Sequence, residues 1–411
     1  MNKFNYIDLF AGAGGLSEGF IREGYNPVAH IEMNKEATDT LKTRLAFHYL
    51  SKKKKSDLYF SYLRGEITRE DLWSNIPQEL IDSVINSEIC NETINEIFSK
   101  IDKQPGSKQV DLIVGGPPCQ AYSVVGRSRD PNGMKNDKRN YLFRYYVEFL
   151  KRYKPKAFVF ENVLGLVSAG NSQYLKEMTR LFSEMGYKAH YKILNSEEFG
   201  VLQKRRRIII IGRKGNSEFS FPELEKMENK WQTKKDLFSD LPKLKPGQEL
   251  KVAHYTKSIN EYLERTQIRN CVDFTTQHIT RNHNERDLEI YSIAIDKWMN
   301  DGQRLKYTDL PKRLQTHNNL NSFLDRYKVV DPFGHSHTVV AHISKDGHYY
   351  IYPDSKQVRS VSVREAARIQ SFPDNYFFEG GRTAAFKQIG NAVPPLMAQA
   401  LAKAIKESLT F

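Results

Sequence analysis

Residues 6–33 read YIDLFAGAGGLSEGFIREGYNPVAHIEM. Two apolar β-type runs, at 6–10 and 27–33, enclose residues 15–23, whose apolar positions recur at helical spacing. A strand, a helix and a second strand in this order are typical of a parallel sheet that is covered by helices. This stretch therefore predicts an α/β fold.

The same alternation continues through the first half of the chain. Further β-type runs lie at 111–115, 157–162, 187–194 and 207–212, and further helical patterns lie at 35–50, 141–153 and 172–185. We predict an α/β domain at 1–213, in which a mixed, mostly parallel sheet carries helices on both faces. Residues 69–109, between two of the strands, have a polar and helical pattern.

Beyond residue 213 the sequence becomes lysine-rich and less periodic, and we interpret 214–352 as a second, smaller lobe. Its run HTVVAHISKDGHYYIYP, at 337–353, resembles two strands joined by a turn and predicts a hairpin. Helical patterns return at 362–370 and 395–408. We expect residues 353–411 to return to the first domain.

The chain of 411 residues carries a formal charge of +13, which suits a polyanionic partner because neutralised phosphates release counterions. No apolar run approaches the roughly 20 residues that a bilayer crossing requires, and the N-terminus lacks the pattern of a secretory signal. We expect no membrane partner and a cytoplasmic location. The cysteines, Cys90, Cys119 and Cys271, are too scattered for a disulfide framework or a cysteine-based zinc site.

A cofactor site is indicated by the glycines at 12, 14 and 15, between the first strand and the first helix. Glycines at this junction let a ligand approach the backbone closely. Glu32 ends the next strand about 20 residues after Gly12, the spacing at which a carboxylate binds a ribose diol. The pattern predicts an adenosine-bearing cofactor, with a purely structural loop as the alternative. Ser17 stands where a dinucleotide fingerprint requires glycine, which disfavours NAD.

A candidate nucleophile follows a buried strand in VDLIVGGPPCQAYS, residues 110–123. Cys119 stands where an α/β strand faces the ligand crevice, which favours a reactive thiol over a small core residue, the commoner fate of a free cysteine. The two preceding prolines should hold the loop rigidly. The next strand ends in Glu161 and Asn162 at the same edge. A thiol and a carboxyl there could combine covalent catalysis with proton donation, although Glu161 as a helix cap is the alternative.

Six motifs, in this order, resemble those of the bacterial DNA (cytosine-5)-methyltransferases. They are DLFAGAGGLSEGF at 8–20, GGPPCQAYS at 115–123, FENV at 160–163, QKRRR at 203–207, REAARIQSFPDNY at 364–376 and QIGNAVPP at 388–395. The similarity spans 8–213 and 338–408, which is nearly everything except the lysine-rich lobe. It implies a Rossmann-like methyltransferase sheet that binds S-adenosylmethionine (SAM).

The resemblance also implies a covalent mechanism. Cys119 would attack C6 of a cytosine flipped out of the duplex, while Glu161 donates a proton to N3 with the aid of Arg207. Arg205 and Asn162 would orient the base and the loop.

Further roles follow from the same resemblance. Phe10 would stack on the adenine and Glu32 would bind the ribose, with Gly12, Gly14, Gly15, Pro118, Leu142 and Asn391 helping to form the cofactor site. The residues expected to contact DNA are Gln120, Ser123 and Arg127, in or beside a loop at 121–137 that closes over the duplex. Glu66 follows Gly65 where the family usually has an aspartate on the adenine amino group, so its role is open. The segment 69–109 is longer than this family leads us to expect and has no assigned role.

The lobe at 214–352 would be the target-recognition domain, with cations for phosphates and other side chains for base edges. We expect a monomer that binds double-stranded DNA, associates with the nucleoid and shares its target with a restriction endonuclease without a stable complex. Two alternatives remain, an RNA (tRNA) cytosine-5 methyltransferase and a catalytically silent DNA-binding relative. The long recognition lobe argues against the first, and the intact catalytic motifs argue against the second.

No metal site is expected. His335, His337 and His342 lie close together in sequence, but no carboxylate or cysteine completes a ligand set at the usual spacing.

Overall fold

The computed structural model describes residues 3–118, 141–215, 218–228 and 230–410. Within these ranges the main sheet has seven strands. They are β1 (Asn5–Leu9), β2 (Asn26–Glu32), β3 (Val84–Asn86), β4 (Leu112–Gly115), β5 (Ala157–Asn162), β6 (Tyr187–Asn195) and β8 (Arg206–Lys214). The short β7 (Gln203–Lys204) lies between β6 and β8 in the sequence and is not part of this sheet. Their order across the sheet is β3-β2-β1-β4-β5-β8-β6.

The strand directions make this sheet mixed. The strands β1 to β5 are parallel, and β8 runs antiparallel to both of its neighbours, β5 and β6. The strand order reverses between β1 and β4, and in open α/β sheets a ligand binds beyond the carboxyl ends of the strands at such a point. The predicted α/β fold with a mixed sheet is confirmed, and its crevice lies beyond Leu9 and Gly115.

Helices cover both faces of the sheet. Those of the first half are α1 (Gly15–Arg22), α2 (Lys35–Lys52), α3 (Ser56–Arg64), α4 (Arg69–Ser74), α5 (Gln78–Asp82), α6 (Ile94–Asp102), α7 (Leu142–Tyr153), α8 (Gly165–Ser168) and α9 (Gln173–Glu184). The later ones are α10 (Glu261–Arg265), α11 (Glu285–Asp301), α12 (Val363–Ile369), α13 (Arg382–Asn391) and α14 (Pro395–Thr410). Helices α7 and α9 cover one face, and α1 and α14 cover the other. In the part of the chain that the structure describes, no helix combines the length and apolar character needed to cross a membrane.

The expectation of a purely helical segment at 69–109 is wrong in one respect. Val84–Asn86 forms β3, which pairs in parallel with β2 and places Asn86 beside Glu32. This run is only three residues long, too short for a strand pattern to stand out among polar neighbours. The remainder of the segment is helical where regular structure occurs, in α4, α5 and α6.

The second lobe contributes two small sheets among its described residues. β9 (Glu249–His254) pairs antiparallel with β10 (Phe274–Ile279), and β11 (Ser336–His337) pairs in parallel with β7 of the first lobe. The hairpin predicted at 337–353 is wrong, because Ala341–Ser344 forms a 3-10 helix. This helix packs against α13, where a Cβ at Gly390 would lie 2.3 Å from the carbonyl carbon of Val340. Tertiary packing here overrides the strand propensity of an apolar run.

The residues after 352 pack partly with the second lobe. Ala367 of α12 and Phe386 of α13 share a core with Trp231 and Tyr262. Helix α14 packs on the main sheet, next to α1. Residues before α14 also contact the first domain, since the Asn375 side chain accepts a hydrogen bond from α2. The domain limits themselves remain a prediction.

A buried ion pair holds α12 to the lysine-rich stretch. The guanidinium of Arg368 is fully buried and donates to the carboxylates of Asp240 and Asp374, each at 2.6 Å. Removing one partner of a buried ion pair commonly costs about 3–5 kcal/mol, because the other charge is left uncompensated. This contact therefore fixes where the second lobe begins relative to α12.

Helices α1 and α14 approach each other so closely that only glycine fits at position 19. A Cβ there would lie 2.4 Å from main-chain atoms of both Ala398 and Gln399. The hydroxyl of Tyr25, just after α1, donates to the Ala402 carbonyl at 3.0 Å on the other side of the contact. The glycine-rich turn is thereby held against α14.

We predict that Gly19→Ala will lower the free energy of unfolding by about 1–3 kcal/mol, the usual cost of overpacking. The matched control is Gly381→Ala, since no atom lies within 4 Å of a Cβ built at that position. Denaturant unfolding followed by circular dichroism measures both variants. Equal stability of the two variants would contradict the close packing of α1 on α14.

Candidate active site at the carboxyl edge of the sheet

The glycine-rich loop leaves β1 in a rarely used backbone conformation. Phe10, Gly12 and Gly14 have positive φ angles of 56°, 56° and 80°. A bulky residue seldom adopts this conformation, and where one does it often marks a functional site. A Cβ at Gly15 would lie 2.3 Å from the Val393 carbonyl oxygen, whereas Gly12 has no atom within 4 Å of its missing Cβ. The loop is therefore anchored on one side and open to a ligand on the other.

The carboxylate of Glu32 is held at the end of β2 by two backbone groups. It accepts from the amide of Gly12 at 2.9 Å and from the amide of Asn34 at 2.8 Å, one bond to each oxygen. Each oxygen keeps a further lone pair for a hydroxyl donor. This arrangement fits the ribose diol expected at Glu32.

Asp8 is a candidate ligand residue that the sequence analysis missed. It lies on β1 and is 1% exposed, and neither carboxyl oxygen has a hydrogen-bond partner among the described residues. Burial, and then the charge of Glu32, hold the pKa of Asp8 well above its ordinary value. A buried carboxyl without a partner is costly, so this group fits a crevice that takes a polar or cationic ligand. The signal in the sequence is an aspartate inside the otherwise apolar strand YIDLF.

Three other expected cofactor residues lie at the ends of elements. Pro118 follows the carboxyl end of β4 and is exposed, Leu142 begins α7 and is half-buried, and Asn391 ends α13 and is exposed. The residue after Asn391, Ala392, would contact a Cβ at Gly15 at 3.1 Å. Asn391 is therefore brought next to the glycine-rich loop.

Glu66 is not placed with this group. It lies in the turn between α3 and α4, is exposed, and accepts from Arg64 Nε at 2.7 Å. The strand that extends the carboxyl edge beyond β2 is β3, which ends at Asn86. The structure therefore does not bring Glu66 to the end of a strand, since its position belongs to a helical turn, and its role remains open.

Two glycines bring the end of β4 between its neighbours. A Cβ at Gly115, where φ is 131°, would lie 2.0 Å from the Leu9 carbonyl oxygen, and one at Gly116 would lie 2.0 Å from the Glu161 carbonyl oxygen. Larger residues at these positions would push β1, β4 and β5 apart. The two glycines therefore place Pro117 and Pro118 at the same edge of the sheet as Glu161.

An ion pair forms the chemical centre of this edge. Arg207 Nε lies 2.8 Å from Glu161 Oε1, and both side chains are mostly buried. Glu161 is on β5 and Arg207 is on the adjacent antiparallel β8, so the pairing of these strands brings the two groups together. Asn162 is buried beside them, and its Nδ2 donates to the Pro117 carbonyl at 3.2 Å. The structure therefore unites Glu161, Asn162 and Arg207.

Arg205 is placed differently from Arg207. Its guanidinium is buried and donates to the carbonyls of Val339 at 2.6 Å, Ala392 at 2.9 Å and Gly390 at 3.3 Å. These bonds hold Arg205 between the two lobes, and its expected role in orienting the base and the loop remains a prediction.

Gln203 is a second positioning residue that the sequence analysis missed. It is fully buried; its Oε1 accepts from the Val339 amide at 2.7 Å, and its Nε2 donates to Gln370 Oε1 at 2.7 Å. The signal is strand alternation, which separates residues 203, 205 and 207 from the exposed Lys204 and Arg206.

The remaining predicted site residues lie outside the described residues. These are Cys119, Gln120, Ser123 and Arg127, together with the loop at 121–137. The described chain reaches Pro118, the residue before Cys119 in the sequence, at the edge that holds Glu161.

The histidines near 335 are engaged in other contacts. His335 Nδ1 lies 3.1 Å from Glu197 Oε2, and His337 hydrogen-bonds to the Tyr349 carbonyl through Nε2. Burial lowers the pKa of His337 to about 3. Within the described ranges, no group of three histidine, cysteine, aspartate or glutamate side chains is arranged to hold a metal ion.

Comparison with known proteins gives a consistent result. The family model described as C-5 cytosine-specific DNA methylase matches residues 4–64 and 75–407. The chain is 42% identical to the Type II methyltransferase M.Bpa9945I of Bacillus paralicheniformis, with 98% of each chain covered. It is 32% identical to the Type II methyltransferase M1.HphI of Haemophilus parahaemolyticus, with 98% of this chain and 87% of the relative covered.

Solved structures share the fold. A prophage-encoded protein from E. coli, described as a DNA modification methyltransferase, superposes with a TM-score of 0.65 at 21% identity over the full length of both chains. The Entamoeba histolytica methyltransferase EhMeth gives a TM-score of 0.55 at 15% identity. The motifs, the mixed sheet and the family match together show that this chain belongs to the C-5 cytosine-specific DNA methylases and is a DNA (cytosine-5-)-methyltransferase of the Type II kind.

Proposed function

We propose that the chain methylates C5 of a cytosine flipped out of a specific duplex sequence, through a covalent adduct at Cys119. The observation that carries the proposal is the Glu161–Arg207 ion pair at 2.8 Å, at the sheet edge where the chain reaches Pro118. A carboxyl and a guanidinium side by side suit a base whose ring must accept negative charge and a proton.

The proposed chemistry begins with addition of a thiolate, because C5 of cytosine is not reactive enough to take a methyl group unaided. The Cys119 thiolate adds to C6 and forms an S–C6 bond, which shifts the C5–C6 π electrons to the C4–C5 bond and the C4–N3 π electrons to N3. N3 takes a proton from Glu161. Arg207 stabilises the charge that develops on the base and holds the carboxyl in place. After C5 has taken the methyl group, the C5 proton is lost to a base and the S–C6 bond breaks to release the thiolate. N3 then returns its proton to Glu161, and the aromatic ring is restored.

The base must leave the duplex for this to happen, because C6 cannot be reached inside the stack. Asn162 fixes Pro117 through its bond to that carbonyl, so the residues before Cys119 are held in register with Glu161. Gly116 leaves the space next to Glu161 Oε2 clear, since a Cβ there would lie 3.0 Å from this oxygen.

The residues present fit SAM as the methyl donor. When bound, it would supply the methyl group to C5. Phe10 would face the adenine, and Glu32 would accept from the ribose diol with the oxygens that Gly12 and Asn34 orient. The carboxyl of Asp8, which is buried on β1 and has no partner among the described residues, would be available for a hydrogen bond to a polar group of the donor.

We propose that residues 214–352 recognise the target sequence, and that the enzyme acts as a monomer, in the cytoplasm near the nucleoid. Two relatives are named Type II methyltransferases, which supports a role as the methylase of a restriction-modification system. A cognate endonuclease would then act on the same sequence without a stable complex.

The covalent step can be tested with a duplex that carries 5-fluorocytosine at the target. Fluorine cannot leave as the C5 proton does, so we expect a stable adduct that requires SAM and survives denaturing electrophoresis. Cys119→Ala should form no adduct yet still bind the duplex, because the thiol contributes little to phosphate contacts. An adduct that persists in Cys119→Ala would show that another residue is the nucleophile.

Loss of the carboxyl at 161 should slow catalysis. We expect Glu161→Gln to lower kcat by about 10²–10⁴, the usual contribution of proton transfer, with DNA binding retained. Glu177→Gln is the matched control, since Glu177 pairs with Arg144 on the helical surface at 2.7 Å. Single-turnover transfer of labelled methyl groups measures all three proteins. A wild-type rate in Glu161→Gln would exclude Glu161 as the acid.

Sequence specificity should move with the second lobe. Replacing residues 214–352 by the matching lobe of the Bacillus paralicheniformis relative is expected to transfer that relative's target site. Sequencing of methylated cytosines in host DNA, with each protein expressed, reads out the target. An unchanged target would refute the assignment of recognition to this lobe.

A further inference from the structure

One loop of the second lobe presents a bulky aromatic side chain to solvent. Residues 316–323 are all exposed, and Phe323 keeps 57% of its surface accessible. Phe323 also has a positive φ of 53°, a conformation that a large side chain rarely adopts. Neither burial nor backbone preference therefore accounts for phenylalanine at this position.

The loop is held in this shape by its own polar side chains. Arg326 donates from Nε to the Phe323 carbonyl at 2.9 Å, and from Nη2 to the carbonyls of Asn319 and Ser322 at 3.0 and 3.1 Å. Its guanidinium lies 4.0 Å from the ring centre of Tyr307. The Asn319 side chain accepts from the amides of Asn321 and Ser322, both at 3.0 Å. These contacts preorganise the loop and fix where Phe323 emerges.

A chain of contacts runs from the loop to the strand pair β7–β11, which joins the two lobes. Asp325, next to the loop, accepts from the Tyr349 hydroxyl at 3.4 Å. The Tyr349 carbonyl is bonded to His337, and His337 pairs with Lys204 of the QKRRR strand. The loop is thus tied to the strand pair that joins the two lobes.

The composition of the loop suits a nucleic acid. From Gln315 to Leu324 it reads QTHNNLNSFL, which contains amides, hydroxyls and apolar groups but no carboxylate. Amides read base edges, and the absence of acidic groups avoids repulsion by phosphates in a chain whose formal charge is +13. Apolar side chains on such loops can enter between base pairs and unstack them.

We propose that the loop at 316–323 enters a groove of the bound duplex and that Phe323 inserts between base pairs near the target. This rests on the proposed function, because it requires the second lobe to bind DNA. Insertion would contribute to site-specific affinity and lower the cost of extracting the cytosine, since an unstacked neighbour releases the base more readily.

Phe323→Gly is the informative variant. Glycine adopts positive φ without strain, so this change removes the ring and relaxes the backbone together. We expect the melting temperature of the protein to be unchanged or higher, while the Kd for the specific duplex rises about five- to hundredfold, the effect of losing one base–aromatic stack. Phe333→Ala is the matched control, because Phe333 is 61% exposed in another loop of the same lobe and its φ is not positive.

The probe is a short synthetic duplex that contains the methylated site mapped by sequencing, with 2-aminopurine next to the target. Anisotropy gives Kd, and 2-aminopurine fluorescence reports unstacking. The inference is supported if Phe323→Gly binds the duplex more weakly and gives a smaller rise in 2-aminopurine fluorescence, while Phe333→Ala behaves like the wild-type protein. Wild-type Kd, kcat and fluorescence in Phe323→Gly would overturn it, as would a change only in self-association on gel filtration. Failure of the wild-type protein to methylate duplex DNA would refute the proposed function itself.

Discussion

The guanidinium of Arg205 joins three parts of the chain that no single secondary-structure element connects. Its nitrogens donate to a carbonyl of the second lobe, at Val339, and to two carbonyls just before α14, at Gly390 and Ala392. Arg205 lies between β7 and β8, two residues before Arg207, so these bonds fix the start of β8 relative to both of the segments that Arg205 contacts. Because the guanidinium is buried, its removal would leave each of these carbonyls without a hydrogen-bond partner, and water could not take its place.

The catalytic pair depends on this arrangement. Arg207 follows Arg205 by two residues, near the start of β8, where it meets Glu161. Gly15 packs against the Val393 carbonyl, so the segment that Arg205 holds also supports the glycine-rich loop. One buried cation thus links the geometry of the Glu161–Arg207 ion pair to that of the glycine-rich loop.

The sequence predicted the regular parts well, because strands β1, β2, β4, β5 and β8 contain apolar runs. It missed β3, whose three residues are too few to show a period, and it misread Val339–Ser344, where packing against Gly390 decides the conformation. Glu161 and Arg207 could be predicted from motifs and strand ends. The contacts of Gln203 and Arg205 could not, because their hydrogen-bond partners lie far away in sequence. The unpartnered carboxyl of Asp8 is apparent only once the strand is seen to be buried.

The contact between α1 and α14 has a consequence for folding kinetics. Tyr25 and Ala402, which bond across it, are separated by 377 positions in the sequence. Contacts of such long range form slowly, because much chain entropy is lost before they contribute. Until they form, the sheet face that includes Tyr6, Leu112 and Ile209 lacks its cover, and exposed apolar strands favour aggregation. We therefore expect the yield of native enzyme to depend on temperature and on chaperone supply more strongly than its final stability does.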